Sequence, residues 1–245
     1  MNHSSEKNKV ALITGGSRGI GKALVERFKR EGFSVITCAT RIENLKDSPA
    51  DLKLACKVEN PVEVKAMIQT SITQFKKIDV LVNNAGLAGG NSLDPSESDE
   101  LWHQIMDVNL HGTYYLCKYA APYLSDHSGR IINISSVLGL KGVPDQTAYC
   151  AAKHGVIGFT KAFALHLAPR KITVNAVCPG WVKTDMAHGR MKELGLTEAS
   201  LEKSVPLARM IEPSEIADFV YVLSTSPASH MITGQALTID GGALL

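Results

Sequence analysis

The residues most able to do chemistry are Tyr149 and Lys153, with Ser136 upstream of them. The alanine-rich stretch around the first two predicts a helix, and a spacing of four residues places the phenol and the ammonium on one helical face. An isolated tyrosine has a pKa of about 10, but a nearby cation favours the phenolate and lowers that value. The pattern therefore predicts that Tyr149 donates a proton, that Lys153 lowers its pKa, and that Ser136 hydrogen-bonds the oxygen receiving the proton.

The composition argues against several kinds of partner. The chain of 245 residues carries 26 Lys and Arg against 24 Asp and Glu and has no long basic run, so nucleic acid is not a predicted partner. The five cysteines are scattered without metal-ligand spacing, which predicts neither a disulfide framework nor a metal site. No apolar run approaches a membrane span, and residues 1–8 lack the apolar core of a signal peptide. We expect a cytoplasmic protein with reduced thiols.

Short apolar runs alternate with amphipathic stretches along the chain, which predicts strands alternating with helices. Because the runs are continuously apolar, each strand should be covered on both faces. The predicted fold is an α/β, doubly wound parallel sheet of about seven strands with helices on both faces, in a single domain over residues 1–245. The predicted strands are 10–13, 34–39, 52–56, 78–82, 130–134, 172–177 and 235–239. Helices are predicted at 22–30, 62–75, 99–124, 148–167 and from 213, with a substrate-covering helical insertion at about 182–204.

Three glycines, at positions 15, 19 and 21, lie between the first predicted strand and the first predicted helix. Such a turn lets the backbone approach a pyrophosphate at the positive end of the helix, as in dinucleotide sites of the Rossmann fold. An NAD site normally has an acidic residue at the end of the second strand, which holds the ribose 2′-hydroxyl. Here the chain reads Thr40-Arg41, and Arg41 with Arg18 can bind a 2′-phosphate instead. We therefore predict NADP(H) as the cofactor.

Several motifs occur in one order along nearly the whole chain. They are Thr14-Gly-Gly-Ser-Arg-Gly-Ile-Gly21, Asn83-Asn-Ala-Gly86, Asn109, Ser136, Tyr149-x-x-x-Lys153 and Cys178-Pro-Gly180. Together they resemble the classical short-chain dehydrogenase/reductase family. Within it, the sequence is similar to bacterial ketoreductases, both the 3-oxoacyl-[acyl-carrier-protein] reductases and the aromatic polyketide ketoreductases. The sequence departs from the family at Lys57, where many relatives carry an Asp that contacts adenine, and at Ala88, where the polyketide enzymes usually carry Pro.

The resemblance implies roles for individual residues. Tyr149 would protonate the carbonyl oxygen, Ser136 would hold that oxygen, and Lys153 would lower the tyrosine pKa and bind the nicotinamide ribose. Asn109 would hold a water that joins Lys153 to a proton relay. The implied cofactor-binding residues are Gly15, Ser17, Arg18, Gly19, Ile20, Gly21, Thr40, Arg41, Val58, Asn84, Ala85, Gly86, Tyr149, Lys153, Pro179, Gly180, Val182 and Thr184.

The favoured interpretation is an NADPH-dependent ketoreductase that transfers hydride to a 3-oxoacyl thioester or a polyketide-like ketone. One alternative is a dehydrogenase of a small secondary alcohol, a sugar or a steroid. Another, of a different class, is a sensor that binds a dinucleotide without turnover. The substrate is predicted to be a small ketone or alcohol, either free or attached to a carrier protein or to CoA. The resemblance also implies a homotetramer or homodimer formed through helices 99–124 and 148–167.

Overall fold

The fold is built on a sheet of seven parallel strands, as the sequence predicts. A computed structural model describes residues 9–91 and 93–245, so the segment 1–8 discussed above lies outside the described residues. The strands are β1 (Val10–Thr14), β2 (Ser34–Ala39), β3 (Leu52–Ala55), β4 (Val80–Asn83), β5 (Arg130–Ile134), β6 (Thr173–Pro179) and β7 (Ala236–Ile239). Their order in the sheet is β3-β2-β1-β4-β5-β6-β7, and every neighbouring pair is parallel. This is the predicted doubly wound, Rossmann-like arrangement.

Helices connect the strands and cover both faces of the sheet. They are α1 (Gly19–Arg30), α2 (Pro61–Phe75), α3 (Glu100–Met106), α4 (Gly112–Ala120), α5 (Thr147–Leu167), α6 (Asp185–Glu193), α7 (Glu198–Glu202) and α8 (Pro213–Thr225). Short 3₁₀ turns lie at Ile42–Leu45, Ala121–Tyr123, Val137–Gly139, Ala168–Arg170 and Pro227–Ser229. Among the described residues, no helix combines the length and the apolar character that crossing a membrane requires.

Two apolar cores lie on the two faces of the sheet, because successive side chains of a strand point in opposite directions. Leu12 faces the core formed with α2, α4 and α5, where it is paired across the sheet with Leu81. The next residue, Ile13, faces the core formed with α1 and α8 and is paired with Val82. All four side chains are fully buried. Burial on both faces explains why the strands are continuously apolar in sequence.

The long helix predicted over 99–124 is divided in the structure. Regular α-helix ends at Met106, a π-helical turn follows at Asp107–His111, and α4 continues only to Ala120. Pro122 then lies in a 3₁₀ turn, since proline lacks the N–H that an α-helix interior needs. The wider π turn carries Asn109, and turns of this kind are frequent at functional sites.

The strand order fixes where a ligand can bind. The chain moves outward from β1 to β3 on one side and from β4 to β7 on the other, so a crevice opens beyond the carboxyl ends of β1 and β4. Gly15, Asn84, Ser136 and Gly180 follow strands β1, β4, β5 and β6 and thus lie along this edge. The predicted insertion forms α6 and α7, which stand next to the same edge.

Candidate active site

The turn between β1 and α1 depends on its glycines. Gly15 and Gly19 have φ angles of +69° and +52°, a region that residues with a side chain rarely adopt. A Cβ atom on Gly21 would lie 2.0 Å from the carbonyl oxygen of Gly15 and 2.5 Å from Nδ2 of Asn84. The first turn of α1 carries no acidic side chain, so no carboxylate of the helix itself competes for its free N–H groups. This geometry suits an anion such as a pyrophosphate.

Thr14, the last residue of β1, joins this turn to the loop after β4. Its fully buried hydroxyl oxygen accepts hydrogen bonds from the backbone N–H groups of Asn84 and Ala85, each at 3.1 Å. In return, Nδ2 of Asn84 donates to the carbonyl oxygens of Thr14 at 2.9 Å and of Gly15 at 3.3 Å. These four contacts fix two walls of the crevice relative to each other.

A cavity of about 1100 Å³ runs from the glycine turn, past the ends of β4 and β5, to helix α6. Every predicted catalytic and cofactor residue lines it except Arg41. Arg41 is exposed and begins the 3₁₀ turn after β2, whereas Arg18 borders the cavity. An Nη atom of Arg18 lies 3.9 Å from a carboxylate oxygen of Asp185, and both side chains are exposed. The structure therefore does not bring the two predicted phosphate-binding arginines to one cavity wall.

Helix α5 and the segment after β5 bring the predicted proton donor and its neighbours together. Lys153 donates from Nζ to the carbonyl oxygen of Ile134 at 2.9 Å, and the same Nζ lies 5.5 Å from the centroid of the Tyr149 ring. Ser136 accepts a hydrogen bond from the N–H of Leu138 at 3.1 Å, which fixes its hydroxyl at the end of β5. Its hydroxyl lines the same cavity as Tyr149 and acts to lower the pKa of that phenol. The three side chains meet in the cavity, as their spacing predicts.

Burial dominates the pKa of Tyr149 in this structure, and a lowering of that pKa by Lys153 stays a prediction. Burial raises the pKa of Tyr149 to about 12, and the hydroxyl of Ser136 offsets only part of that shift. Burial also lowers the pKa of Lys153 to about 8, because a charged ammonium loses hydration inside the protein. The sequence shows that the two groups are neighbours, but it does not show how far burial shifts the pKa of each.

Asn109 lies at the point where the π turn faces the cavity. Its Nδ2 donates to the carbonyl oxygens of Leu87 at 2.7 Å and of Ile105 at 2.9 Å. Its Oδ1 is buried and has no partner among the described residues. A Cβ atom on Gly86 would lie 2.9 Å from that Oδ1 and 3.7 Å from Nζ of Lys153. The missing side chain at Gly86 thus leaves space between an unpaired acceptor and an ammonium donor, which suits a bridging water.

The amino-terminal end of α5 contains a polar group that sequence reasoning missed. Gln146 occupies the N-cap position, is only 4% exposed and lines the cavity one turn before Tyr149. It does not cap the helix, because Asn91 from another loop does so by accepting from the N–H of Ala148 at 2.9 Å. The side chain of Gln146 makes no capping hydrogen bond and lines the cavity, where its amide can meet a ligand. Capping by a distant loop leaves no local sequence signal.

The opposite end of the cavity is lined by Cys38, Thr40, Asn44, Cys56 and Val58. The side chain of Lys57 is exposed and does not line it, while its backbone N–H donates to Glu63 at 2.8 Å. Lys57 replaces the Asp that is usual at this position, but its ammonium group does not line the cavity. All five cysteines are free thiols and buried. Within residues 9–91 and 93–245, no cluster of three or more His, Cys, Asp or Glu could hold a metal ion.

The sheet order, the glycine turn and the cavity at the carboxyl ends of the strands define a Rossmann-like nucleotide-binding protein. The family model described as "Enoyl-(Acyl carrier protein) reductase" matches residues 15–243. The chain belongs to the short-chain dehydrogenase/reductase family and is an oxidoreductase, as its motifs predict.

Three similar proteins illustrate the range of this family. A 3-oxoacyl-[acyl-carrier-protein] reductase of Synechocystis is 40% identical over 247 residues, covering 97% of each chain. An actinorhodin polyketide ketoreductase variant, solved with NADPH, has a TM-score of 0.89 and 37% identity, over 96% of this chain and 97% of that one. The ligand-free aldohexose dehydrogenase of Thermoplasma acidophilum has a TM-score of 0.90 and 36% identity, over 98% and 96% of the two chains.

Proposed function

We propose that the protein is an NADPH-dependent ketoreductase that reduces a 3-oxoacyl thioester or a similar polyketide-like ketone, with Tyr149 as the general acid. The observation that carries this proposal is the meeting of Ser136, Tyr149 and Lys153 in the same cavity as the glycine turn. The relatives named as 3-oxoacyl-[acyl-carrier-protein] reductase and polyketide ketoreductase support the direction of the reaction and the substrate class.

The cavity fits a nicotinamide dinucleotide. Gly15, Gly19 and Gly21 let the backbone approach the pyrophosphate, and a side chain at position 21 would fill that space. Pro179, Gly180, Val182 and Thr184 border the nicotinamide end. When bound, the cofactor supplies the hydride, and the protein orients it. Arg18 is the cation on the cavity wall that can pair with a 2′-phosphate, and the NADPH complex of the polyketide relative supports that choice.

Proton delivery depends on this chain's own side chains. The hydroxyl groups of Tyr149 and Ser136 hydrogen-bond the carbonyl oxygen, and the tyrosine gives up its proton as the alkoxide forms. Lys153 keeps its ammonium beside the phenol and stabilises the phenolate that results. A water between Oδ1 of Asn109 and Lys153 connects the site to solvent, in the space that Gly86 leaves open.

The substrate end of the cavity favours a second oxygen near the ketone. Apolar side chains, Leu138, Val143 and Pro144, form one wall. The amide of Gln146 is a buried polar group at the start of the helix that carries Tyr149, one turn away. A 3-oxoacyl thioester carries a second carbonyl two bonds from the first, and that oxygen can accept a hydrogen bond from this amide. A simple ketone offers nothing to pair with it.

The proposal is tested by NADPH oxidation with an acetoacetyl thioester and with a simple ketone. Replacing Tyr149 with Phe should lower kcat by about 10²–10⁴-fold, while the dissociation constant of NADPH changes little. Tyr123→Phe, on the 3₁₀ turn after α4, is the matched control and should keep full activity. Unchanged turnover in the Tyr149 variant would refute the role of general acid. NADPH binding with no turnover of any carbonyl compound would favour the alternative of a sensor that binds a dinucleotide without catalysis.

A separate measurement tests the choice of cofactor. Arg18→Gln should raise the dissociation constant of NADPH by about tenfold or more, as loss of a charge-assisted contact predicts, and leave that of NADH unchanged. Arg41→Gln is the control, because its exposed side chain lies outside the cavity wall. Equal use of NADH and NADPH by the unmodified protein would contradict the assignment of NADP(H).

The aldohexose dehydrogenase relative favours a second candidate, oxidation of a sugar hydroxyl. Gln146 and Asp145 at the cavity wall offer polar groups that can also hydrogen-bond a sugar. Assays of NADP⁺ reduction with aldohexoses distinguish the two candidates: a kcat/KM for glucose above that for reduction of the acetoacetyl thioester would favour the sugar dehydrogenase.

We also propose that α4 and α5 form an interface with a second copy of the chain. Tyr114 of α4 is 40% exposed and meets Phe159 of α5 with the ring centroids 6.1 Å apart, and Phe159 stacks on Phe163. Exposed apolar side chains in one patch are typical of a protein interface. A dimer or tetramer mass in light scattering, reduced by Tyr114→Glu, would support this interface, and a monomer mass at micromolar concentration would exclude it.

A further inference from the structure

The segment 182–204, which contains α6, borders the substrate end of the cavity and is called the lid below. A guanidinium group of α6 connects it to the start of α5. Arg190, on helix α6, pairs through Nη2 with the carboxylate of Asp145 and donates from Nη1 to Glu193 at 2.9 Å. Glu193 belongs to the same helix, whereas Asp145 lies 45 residues earlier in the chain. Only the first of these two ion pairs connects the lid to another part of the protein. Arg190 and Asp145 both line the cavity.

The segment that carries Asp145 is held firmly in place. Its carbonyl oxygen accepts a hydrogen bond from the N–H of Asn91 at 3.1 Å, and Asn91 caps helix α5 through Ala148. A Cβ atom on Gly90 would lie 3.3 Å from that carbonyl oxygen and 3.6 Å from Nη1 of Arg190. The loop after β4, the start of α5 and the lid therefore meet at this one ion pair.

The surroundings of Arg190 make the ion pair more than a surface contact. Its side chain is 15% exposed, against 45% for Asp145, so water screens the pair less than it screens an exposed one. Loss of Asp145 would leave a shielded cation with Glu193 as its remaining acidic partner. Breaking the bridge should therefore release α6 from the start of α5 without removing the charge balance within the helix.

We propose that the Asp145–Arg190 bridge is a specificity-determining element, which holds the lid close to Tyr149 and restricts the site to slender, acyclic carbonyl substrates. Apolar side chains of the lid, Met186 and Leu194, line the cavity beside the bridge. With the bridge formed, they cover the substrate chain and hold its carbonyl against the hydroxyl groups of Tyr149 and Ser136. With the bridge broken, the lid moves out and admits a wider ring system. The inference rests on the proposed ketone reduction for its activity assay.

The test compares an acetoacetyl thioester with a bicyclic ketone such as decalone. Asp145→Asn, which keeps the size of the side chain and removes its charge, should shift the ratio of the two kcat/KM values by about tenfold toward the bicyclic ketone, a coupling typical of contacting residues. The shift should appear mainly in KM for the bicyclic ketone and in kcat for the thioester. Asp145→Asn/Arg190→Gln should shift the ratio no further than the single variant, because both lose the same bridge and the Arg190–Glu193 pair lost besides lies within α6.

Glu193→Gln is the matched control, since it removes an ion pair of the same arginine that does not leave the helix. Its ratio should stay within about twofold of the unmodified protein. An unchanged ratio in Asp145→Asn, or an equal shift in Glu193→Gln, would overturn the proposal.

Hydrogen exchange gives a readout that does not need turnover. The amides of residues 185–193 should exchange about tenfold faster in Asp145→Asn than in Glu193→Gln, because the lid opens more often. If the unmodified protein reduces neither ketone, the proposed function fails, and this comparison alone decides the inference. Equal exchange in the two variants would then refute the bridge as a lid contact.

Discussion

Replacing Thr14 with valine tests how strongly the crevice depends on one buried hydroxyl. Valine has nearly the same shape as threonine, so the core around β1 stays filled. The change removes the acceptor that pairs with the backbone N–H groups of Asn84 and Ala85, both at 3.1 Å. Because Thr14 is fully buried, no water can take the place of its hydroxyl within the sheet. Two backbone donors therefore lose their partner at once.

The size of the effect follows from those two donors. A buried donor left without a partner costs about 1–3 kcal/mol, so the upper range for two is about 2–6 kcal/mol. Asn84 and Ala85 are half-buried beside the cavity, where water can reach them in part. We therefore expect the free energy of unfolding to fall by about 2–4 kcal/mol, a large part of the roughly 5–15 kcal/mol that a domain has. NADPH binding should weaken as well, because the same bonds hold the glycine turn.

Urea unfolding followed by circular dichroism measures the change, with fluorescence titration for NADPH. Thr14→Ser keeps the hydroxyl and should lose less than half as much stability. Thr37→Val is a second control, because it removes a single donor, the hydroxyl that bonds the carbonyl oxygen of Ile13 at 2.7 Å in an equally buried place. The reasoning is refuted if Thr14→Val unfolds within about 0.5 kcal/mol of the unmodified protein.

Other outcomes follow from the site. The kcat/KM of ketone reduction should fall above a pH of about 8, because Lys153, whose pKa is about 8, then loses its charge. Tyr149, whose pKa is about 12, stays protonated over this range. A decline that begins only near pH 10 in a pH–rate profile would contradict this expectation. Gly21→Ala should cost about 1–3 kcal/mol of stability and most NADPH affinity, because its Cβ would lie 2.0 Å from a backbone oxygen. Gly142→Ala is the control, because a Cβ atom there would have no other atom within 4 Å. Equal changes in melting temperature in the two variants would be evidence against the clash at Gly21. Gly86→Ala should lower kcat more than NADPH affinity in steady-state assays, because its Cβ fills the space beside Asn109. A loss of affinity with kcat unchanged would contradict the role given to a bridging water.

The sequence predicts the sheet well because the signal is local. In a run such as residues 10–13 every position is apolar, and only a strand covered on both faces buries them all. Parallel strands end at one edge, so residues that follow them, Ser136 among others, must lie near the glycine turn. The family motifs add the remaining positions predicted to be catalytic. Element type and the edge of the sheet were thus predictable from short windows of sequence.

What the sequence does not predict depends on contacts between distant loops. Asn91 caps α5 in place of Gln146, and neither residue has a neighbour in the chain that indicates it. Arg41 follows the second strand as an NADP site requires, but the chain turns there and leaves its side chain outside the cavity wall. The pKa of Tyr149 depends on how much water its phenol loses, which only the packed structure determines.

The π turn at Asp107–His111 makes this helix sensitive to chain length. A π turn holds one residue more than the regular helix around it, and each residue of an α-helix advances the chain by about 100°. Because the wide turn absorbs its extra residue, deleting one residue there would give regular α-helix and keep the faces of the helices on either side, but it would move the side chains within the turn itself. Asn109 would turn away from Lys153, while Leu116 and Cys117 kept their places in the core. A deletion in this turn should therefore spare the fold but displace Asn109, the one buried residue of the turn, from the cavity.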